Sequence, residues 1–249
     1  MLASVIMPYY RKKNYFREAY YSALNQNIKN IEIIIIYDDR DHSELNFIKN
    51  IIKNKKNTKL IVNKKQLGVG TSRNAGISIA KGKYICFLDC DDIWKRNKLS
   101  YQIKFMEKNF LDFTHTSYSV INQKGRFLYS LRAKKELNYD NLILSCDVAL
   151  STVVMKRNFF KDYKFTKITT KEDYLLWLQL SKDNVKIIGI DKIFTYWRKV
   201  NNSLSSDLLR KIKDAFRIYY FYEKKSFIMS IAHVFFLSLF TLNKKIRII

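Results

Sequence analysis

Acidic residues are concentrated at points where short apolar segments of this sequence end. The apolar run 84–88 is followed at once by Asp89, Asp91 and Asp92. Carboxylates this close repel one another, and each is costly to bury without a cation or a hydrogen bond. Two carboxylates combined with phosphate oxygens make a suitable site for Mg²⁺ or Mn²⁺. The cluster therefore indicates a hard cation and a phosphorylated ligand, with a solvated turn as the alternative.

The spacing of these acids predicts one role for Asp89 and Asp91 and another for Asp92. In extended backbone, residues i and i+2 point to the same side, so Asp89 and Asp91 can face one ligand together. Asp92 would instead cap a helix that begins near Ile93. A second acidic pair, Asp38 and Asp39, ends the β-branched run "IEIIIIY". Two predicted strands thus end in carboxylates.

The elements that must position these acids alternate between strand and helix over the first 90 residues. Strand patterns are "SVIM", "IEIIIIY", "TKLIVN" and "KYICFL", and the helical patterns between them are "NYFREAYYSALNQN", "SELNFIKNIIKN" and "TSRNAGISIAKG". This alternation predicts an α/β fold with a Rossmann-like, mostly parallel sheet and helices on both faces. Ligands of such sheets bind at the carboxyl ends of the strands, where the acids lie.

The second half of the chain follows a different pattern. A long helix from residue 93 is followed by the strand pattern "DFTHTSYSVIN", a turn around Gly125, and the strand patterns "STVVMKR" and "VKIIGI" with the helix "KEDYLLWLQLSKDN" between them. These features predict a mixed α+β portion attached to the first sheet. Four of the six glycines, at positions 68, 70, 76 and 82, lie close together, which indicates unusual backbone angles or close approach there.

Charge and cysteine content limit the class of protein. The 249 residues carry a formal net charge of +24, which attracts nucleic acid, anionic lipid or phosphorylated substrates. Cys86, Cys90 and Cys146 follow no CxxC pattern, which is typical of reduced thiols in a cytoplasmic protein. The first apolar stretch has no basic leader before it, so we expect no signal peptide.

The segment 206–249 is predicted to form basic, amphipathic C-terminal helices. Its stretch "SFIMSIAHVFFLSLFTL" is flanked by Lys224 and Lys225 before it and by Lys244, Lys245 and Arg247 after it. At 17 residues this stretch is shorter than the ~20 that span a bilayer. Basic flanks favour a helix that lies in an anionic membrane surface, and docking on the protein's own core is the alternative.

Five segments in order resemble successive blocks of the family 2 glycosyltransferases, which have the GT-A fold. They are "SVIMPYY", "NQNIKNIEIIIIYDD", "LGVGTSRNAGISIAKGKYICFLDCDDIW", "KEDYLLWLQL" and "YWRKVNNSLSS". The resemblance covers about residues 3–205 and implies a GT-A domain over 1–205. Within it, residues 1–100 would bind the nucleotide sugar and residues 101–205 the acceptor.

The resemblance also implies roles for individual residues on the donor side. Pro8, Tyr10 and Asp39 would hold the base, and Arg73 would lie near the nucleotide phosphates. Asp89 would contact the ribose or the metal, and Asp91 would coordinate Mg²⁺ or Mn²⁺ on the diphosphate. The implied donor is a nucleoside-diphosphate sugar, usually of UDP. These site residues are Pro8, Tyr10, Asp39, Arg73, Asp89 and Asp91.

The resemblance implies that Asp173 is the general base that takes the proton of an acceptor hydroxyl, with inversion at the sugar. The same residues, Thr170 to Asp173, also fit a capping box, in which Asp173 would only bond to a backbone N–H. The implied acceptor is a glycan or a lipid-linked sugar in cell-surface polysaccharide synthesis. We expect the enzyme at the inner face of the cell membrane as a peripheral protein, with no nucleic-acid partner.

Two other functions are compatible with parts of the sequence. A nucleotidyltransferase of similar fold would also use paired carboxylates and a dication, but it would carry glycines just after its first strand. The segment "MPYYRKKNYF" has none. A nucleic-acid-binding protein would explain the charge, but carboxylates at strand ends would repel a phosphate backbone.

Overall fold

The computed structural model describes residues 1–201 and 207–246, with side chains to residue 241. The helices are α1 (Lys13–Leu24), α2 (His42–Ile52), α3 (Val69–Ser78), α4 (Lys98–Lys108), α5 (Tyr139–Leu142), α6 (Glu172–Lys182), α7 (Leu208–Arg217) and α8 (Phe227–Ile246). The strands are β1 (Ala3–Tyr9), β2 (Ile31–Tyr37), β3 (Thr58–Val62), β4 (Tyr84–Phe87), β5 (Ile93–Trp94), β6 (Phe113–Ile121), β7 (Phe127–Leu131), β8 (Glu136–Leu137), β9 (Val154–Lys156) and β10 (Ile187–Arg198).

Both halves of the described chain contribute strands to one sheet. Its main order is β3-β2-β1-β4-β9-β6-β10-β5, with β7 beside β6 and β8 beside β10. The first four strands pair in parallel, as does β6 with β10, whereas β9 joins the two groups in antiparallel pairing. The predicted parallel sheet, the mixed second half and the turn at Gly125 are therefore confirmed.

Helices cover both faces of this sheet, as the alternation predicts. β2 is buried along its whole length because α1 and α2 pack on one face and α3 on the other. One core cluster contains side chains of α1, α2 and α4; the other contains those of α6 and of the C-terminal helices. The first four parallel strands thus end at one edge of the sheet, between the helices of the two core clusters.

The glycines of the 68–82 segment bring backbone segments close together. Gly68 has a φ of +86°, which favours glycine. A Cβ on Gly70 would lie 2.3 Å from the carbonyl oxygen of Thr166, and one on Gly82 would lie 2.4 Å from the backbone nitrogen of Ser4. The predicted close approach is confirmed, although α3 ends at Ser78, before Gly82.

Replacement of Gly82 by alanine should destabilise the protein. The new methyl group would press on the backbone of β1, which cannot rotate away as a side chain can. Overpacking of this kind costs about 1–3 kcal/mol, and urea unfolding should show a lower midpoint. The neighbouring Lys81 is exposed, so Lys81→Ala should stay within about 0.5 kcal/mol of the wild type. Equal midpoints for the two variants would contradict this packing.

The C-terminal helices dock on the rest of the chain. A π-helical turn (Ile218–Tyr222) links α7 towards α8, and Tyr219 is fully buried against α6. The Tyr219 hydroxyl donates to the carbonyl oxygen of Ile143 at 2.8 Å, and Lys182 forms an ion pair with Glu223 at 2.6 Å. Among the described helices, none is both long enough and apolar enough to cross a bilayer.

Candidate active site

A cleft of about 680 Å³ opens at the carboxyl ends of β1, β2 and β4. Its walls also include the first turn of α6, the end of β10 and one residue of α7, Lys211. This volume lies in the range of roughly 300–1,000 Å³ that is typical of small-ligand pockets. Both halves of the chain and the C-terminal helices therefore build one site.

Most of the predicted site residues line this cleft. They are Pro8, Tyr10, Arg73, Asp89, Asp91 and Asp173. Asp39 instead lines a smaller neighbouring cavity of about 230 Å³, together with Asp41 and Asn63. The structure thus brings together the acids of β4 and α6, which are more than 80 positions apart in the sequence, and places Asp39 to one side.

The acidic pair after β2 divides into two different roles. Asp38 accepts hydrogen bonds from the Asn63 side chain at 2.7 Å and from the backbone N–H groups of Leu67 and Gly68 at 2.8 Å. These bonds fix the loop that leads into α3. Asp39 Oδ2 accepts no hydrogen bond from the described residues, and Arg11 Nε lies 3.7 Å from it. Asp39 Oδ2 is therefore a buried acceptor oxygen that a ligand N–H could use once Arg11 moves aside.

Arg73 joins the donor side of the cleft to α6. Its Nη2 donates to Asp89 Oδ1 at 2.8 Å, and its Nη1 donates to Glu172. Burial disfavours the charged guanidinium, but Asp89 and Glu172 outweigh burial and raise the pKa of Arg73. Glu172 was missed by the sequence reasoning, which considered only its neighbour Asp173. Arg73 therefore holds Asp89 and α6 in fixed relative positions, and its place near the nucleotide phosphates stays a prediction.

Asp91 carries a cationic partner that the sequence reasoning also missed. Lys12 Nζ donates to Asp91 Oδ2 at 2.6 Å, and both side chains are largely buried. Burial raises the pKa of the Asp91 carboxyl, and the ammonium of Lys12 opposes this shift. The available signal was the basic run "RKK" just after β1, because it lies at the same sheet edge as Asp91.

The prediction that Asp92 caps a helix is wrong. Residues Ile93 and Trp94 form β5, and the next helix begins at Lys98. Asp92 is buried, and its Oδ1 accepts the backbone N–H of Arg198 at 2.9 Å. The guanidinium of Arg198 in turn donates to the carbonyl oxygen of Asp91 at 2.9 Å. Hydrogen bonds between Asp92 or Asp91 and Arg198 therefore connect the loop 89–92 to the end of β10.

The capping box over Thr170 to Asp173 does not form, although Asp173 does bond to a backbone N–H as that alternative predicts. Both the backbone N–H and the hydroxyl of Thr170 donate to Asp214 Oδ2 at 2.9 Å, and Lys171 has a φ of +63°. Asp173 Oδ1 accepts only the N–H of the adjacent Tyr174, at 2.7 Å, among the described residues. Burial raises the pKa of Asp173, and the guanidinium of Arg73 opposes this shift. Asp173 thus offers a carboxylate to the cleft at the start of α6.

The two carboxylates after β4 fit a hard cation only as part of a larger ligand set. No three His, Cys, Asp or Glu side chains converge on one point within 1–201 and 207–246. The Lys12 ammonium stands where a dication would neutralise Asp91. Phosphate and water oxygens would have to complete the coordination of Mg²⁺ or Mn²⁺. The residues therefore fit a metal that binds together with a diphosphate.

The cleft lies at the carboxyl edge of an open, mostly parallel sheet, where ligands of such sheets bind, and it combines Asp89 and Asp91 with Asp173 on a facing helix. The sequence profile of glycosyl transferase family 2 matches residues 4–168, well over half of the chain. The chain belongs to glycosyl transferase family 2. The predicted family is thereby confirmed, and the matched range contains the first three of the five sequence blocks.

Proteins of several bacteria are similar to this chain in sequence. The chain is 33% identical over 216 residues to "UDP-Glc:alpha-D-GlcNAc-diphosphoundecaprenol beta-1,3-glucosyltransferase WfgD" of Escherichia coli, covering 85% of this chain and 83% of WfgD. It is 29% identical to the "putative teichuronic acid biosynthesis glycosyltransferase TuaG" of Bacillus subtilis, covering 88% and 87%. A glycosyltransferase of Rickettsia felis is 38% identical over 76% of this chain, which spans only 31% of that protein.

Solved structures confirm the GT-A fold. TarS of S. aureus in complex with UDP-GlcNAc superposes with a TM-score of 0.70 at 21% identity, covering 94% of this chain and 70% of that chain. The mannosyltransferase PcManGT of Pyrobaculum calidifontis, in complex with GDP-Man and Mn²⁺, superposes with a TM-score of 0.69 at 11% identity, covering 93% and 69%. At these identities the likeness concerns the fold.

Proposed function

We propose that this chain is a metal-dependent, inverting glycosyltransferase that moves a sugar from a nucleoside-diphosphate sugar, with UDP as the first candidate, to an acceptor hydroxyl. The observation that carries the proposal is the common cleft of Asp89 and Asp91 at the end of β4 and Asp173 at the start of α6. Membership of family 2 favours this function over the nucleotidyltransferase and nucleic-acid-binding alternatives.

The donor side of the cleft has groups for each part of a nucleotide sugar. Pro8 and Tyr10 would contact the base, and Asp39 Oδ2 would accept a ring N–H once Arg11 moves aside. Asp89 would contact the ribose or the metal, and Asp91 would hold Mg²⁺ or Mn²⁺. The bound metal would supply positive charge to the departing diphosphate.

Asp173 would begin the transfer by accepting the proton of the acceptor hydroxyl. The acceptor oxygen forms a bond to the anomeric carbon from the face opposite the diphosphate, which inverts the configuration. The bond from that carbon to the diphosphate oxygen breaks, and its electron pair leaves with the nucleoside diphosphate. Arg73, which bonds to both Glu172 and Asp89, would keep α6 and Asp89 in fixed relative positions during this exchange.

We further propose a glycan or lipid-linked acceptor in cell-surface polysaccharide synthesis. WfgD, which matches this chain over most of both lengths, is named for a diphosphoundecaprenol-linked acceptor, and TuaG for teichuronic acid biosynthesis. A lipid-linked acceptor stays in the bilayer, so the enzyme would meet it as a peripheral protein at the inner face of the cell membrane.

Thermal unfolding of the full chain with UDP, GDP, CDP or ADP, each with and without Mn²⁺, tests the donor site. A diphosphate present at 100 times its dissociation constant should add about 2.7 kcal/mol of stability, which raises the unfolding midpoint by several degrees. We expect one nucleotide, UDP first, to do so and Mn²⁺ to enlarge its effect. Midpoints unchanged by every nucleotide with the metal would contradict the proposed function.

A further inference from the structure

The outer side of the C-terminal helices carries a continuous set of exposed apolar side chains, which we call the C-terminal apolar surface (exposed apolar residues of 208–240). Its most exposed members include Leu209 at 81%, Ile228 at 79% and Phe221 at 65%. The rings of Phe216, Tyr220 and Phe227 contact one another across the π-helical turn, so the residues before and after this turn form one surface. Monomeric soluble proteins seldom expose an apolar surface of this extent without a partner for it.

The opposite side of the same helices is firmly attached to the protein. Besides the bonds of Tyr219 and Glu223, Asp214 of α7 accepts both polar hydrogens of Thr170, directly before α6. Ile218 and Leu237 are buried in the core cluster that contains α6. The apolar surface is therefore the outward face of a docked unit, because the inward face already supplies the contacts to the core.

The charges beside this surface identify its partner as anionic. Leu209, Lys213 and Arg217 are four residues apart on α7, so they share one stripe of the helix. Lys213 and Lys224 are exposed, and so is Arg217, whose Nη1 lies 3.6 Å from the buried Asp214. Glu223 is also buried. A second copy of a chain with a net charge of +24 would bring like charges together, while anionic lipid headgroups would neutralise them.

From this combination we propose that the C-terminal apolar surface docks in the plane of an anionic lipid bilayer. Helices with one apolar face and basic residues beside it bind bilayers in this way, with the apolar side chains inserted below the headgroups. In this arrangement the helices lie along the bilayer surface. This inference rests on the proposed lipid-linked acceptor and adds the surface that meets the lipid.

The surface and the cleft share helix α7. Lys211 lines the cleft, whereas Leu209 and Ile212, within one turn of it, are exposed on the apolar surface. The two therefore lie about one helix diameter apart, roughly 10 Å. An acceptor that remains anchored in the bilayer can then reach the cleft beside α7, next to Asp173 on α6.

Vesicle flotation of the full chain tests this surface. Wild-type protein should float with vesicles of phosphatidylglycerol and phosphatidylcholine, much less with phosphatidylcholine alone, and less again when salt is raised from 0.1 to 0.5 M. The double variant Phe221→Asp with Ile228→Asp should bind anionic vesicles at least about tenfold more weakly, because two inserted side chains are lost. Phe110→Asp, at a phenylalanine 92% exposed elsewhere, should bind as the wild type does.

The proposal would be overturned if the wild type failed to float with anionic vesicles, or if the double variant floated equally well. It would also be overturned if sedimentation showed a dimer that the double variant dissociates, since a second copy would then cover the surface. Thermal stabilisation by nucleotide should be the same in the wild type and the double variant. A loss of lipid binding with nucleotide binding intact thus separates this inference from the proposed function.

Discussion

Replacement of Asp173 by asparagine should lower sugar transfer by about 10²–10⁴-fold, the usual contribution of a general base. The amide keeps the shape of the side chain and its acceptor oxygen for the Tyr174 N–H, but it cannot take a proton. Folding and donor binding should therefore remain. The measurement is the rate of nucleoside diphosphate release with acceptor present, together with the nucleotide-dependent unfolding midpoint of the same protein.

The neighbouring carboxylate provides the matched control. Glu172 is buried, burial raises its pKa to about 7, and its side chain bonds to Arg73. Glu172→Gln should keep a substantial part of the activity, because Asp173 can still act as base. If Asp173→Asn retained activity while Glu172→Gln lost it, the assignment of the base to Asp173 would be wrong.

The pH dependence of the two variants should also differ. The base must be ionised, so activity of the wild type should fall as the pH is lowered through the raised pKa of Asp173. The pKa of Glu172 is raised to about 7, so this side chain carries little charge at pH values below 7. Glu172→Gln should therefore leave the acid limb where the wild type has it, whereas Asp173→Asn should remove the limb together with the base. An acid limb that moved in Glu172→Gln would identify Glu172 as the titrating group.

Sequence periodicity was sufficient for the parallel half of the sheet because its signals are local. Four apolar strand segments and the helices between them predict the parallel half, and the rule that ligands bind at strand ends predicts the edge where Asp89 and Asp91 lie. Asp92 shows the limit of this reasoning. Its helix-cap pattern is local, but its actual partner is the backbone of Arg198, 106 positions later, which no local pattern indicates.

The ion pairs of the cleft were missed for the same reason. Lys12 meets Asp91 and Arg73 meets Glu172 across 79 and 99 positions of sequence, so only the folded sheet brings them together. The adjacent acids Asp38 and Asp39 could not be distinguished from sequence either. Strand alternation would tell which side chain faces the loop before α3, but β2 ends at Tyr37, before both residues.

Replacing either residue of the Lys12–Asp91 ion pair should change the affinity for Mn²⁺, and the two replacements should change it in opposite directions. Asp91→Asn removes a charged oxygen ligand, so Mn²⁺ binding together with nucleoside diphosphate should become at least about tenfold weaker, and transfer should be lost. Lys12→Met removes the cation that competes for Asp91 Oδ2, so Mn²⁺ alone should bind about tenfold more tightly than to the wild type. Electron paramagnetic resonance of free Mn²⁺ measures both affinities without any transfer reaction.

The same variant should weaken the binding of nucleoside diphosphate alone, because a positive charge is lost beside the position of its phosphates. Lys13→Met is the matched control, since the ammonium of Lys13 lies over the ring of Phe47. Its Mn²⁺ affinity should equal that of the wild type. If Lys12→Met bound Mn²⁺ no more tightly than Lys13→Met does, Lys12 would not compete with the metal. If Lys12→Met instead bound Mn²⁺ more tightly and diphosphate more weakly, Lys12 would have two roles. It would neutralise Asp91 in the free enzyme and contact the phosphates of the donor once the donor is bound.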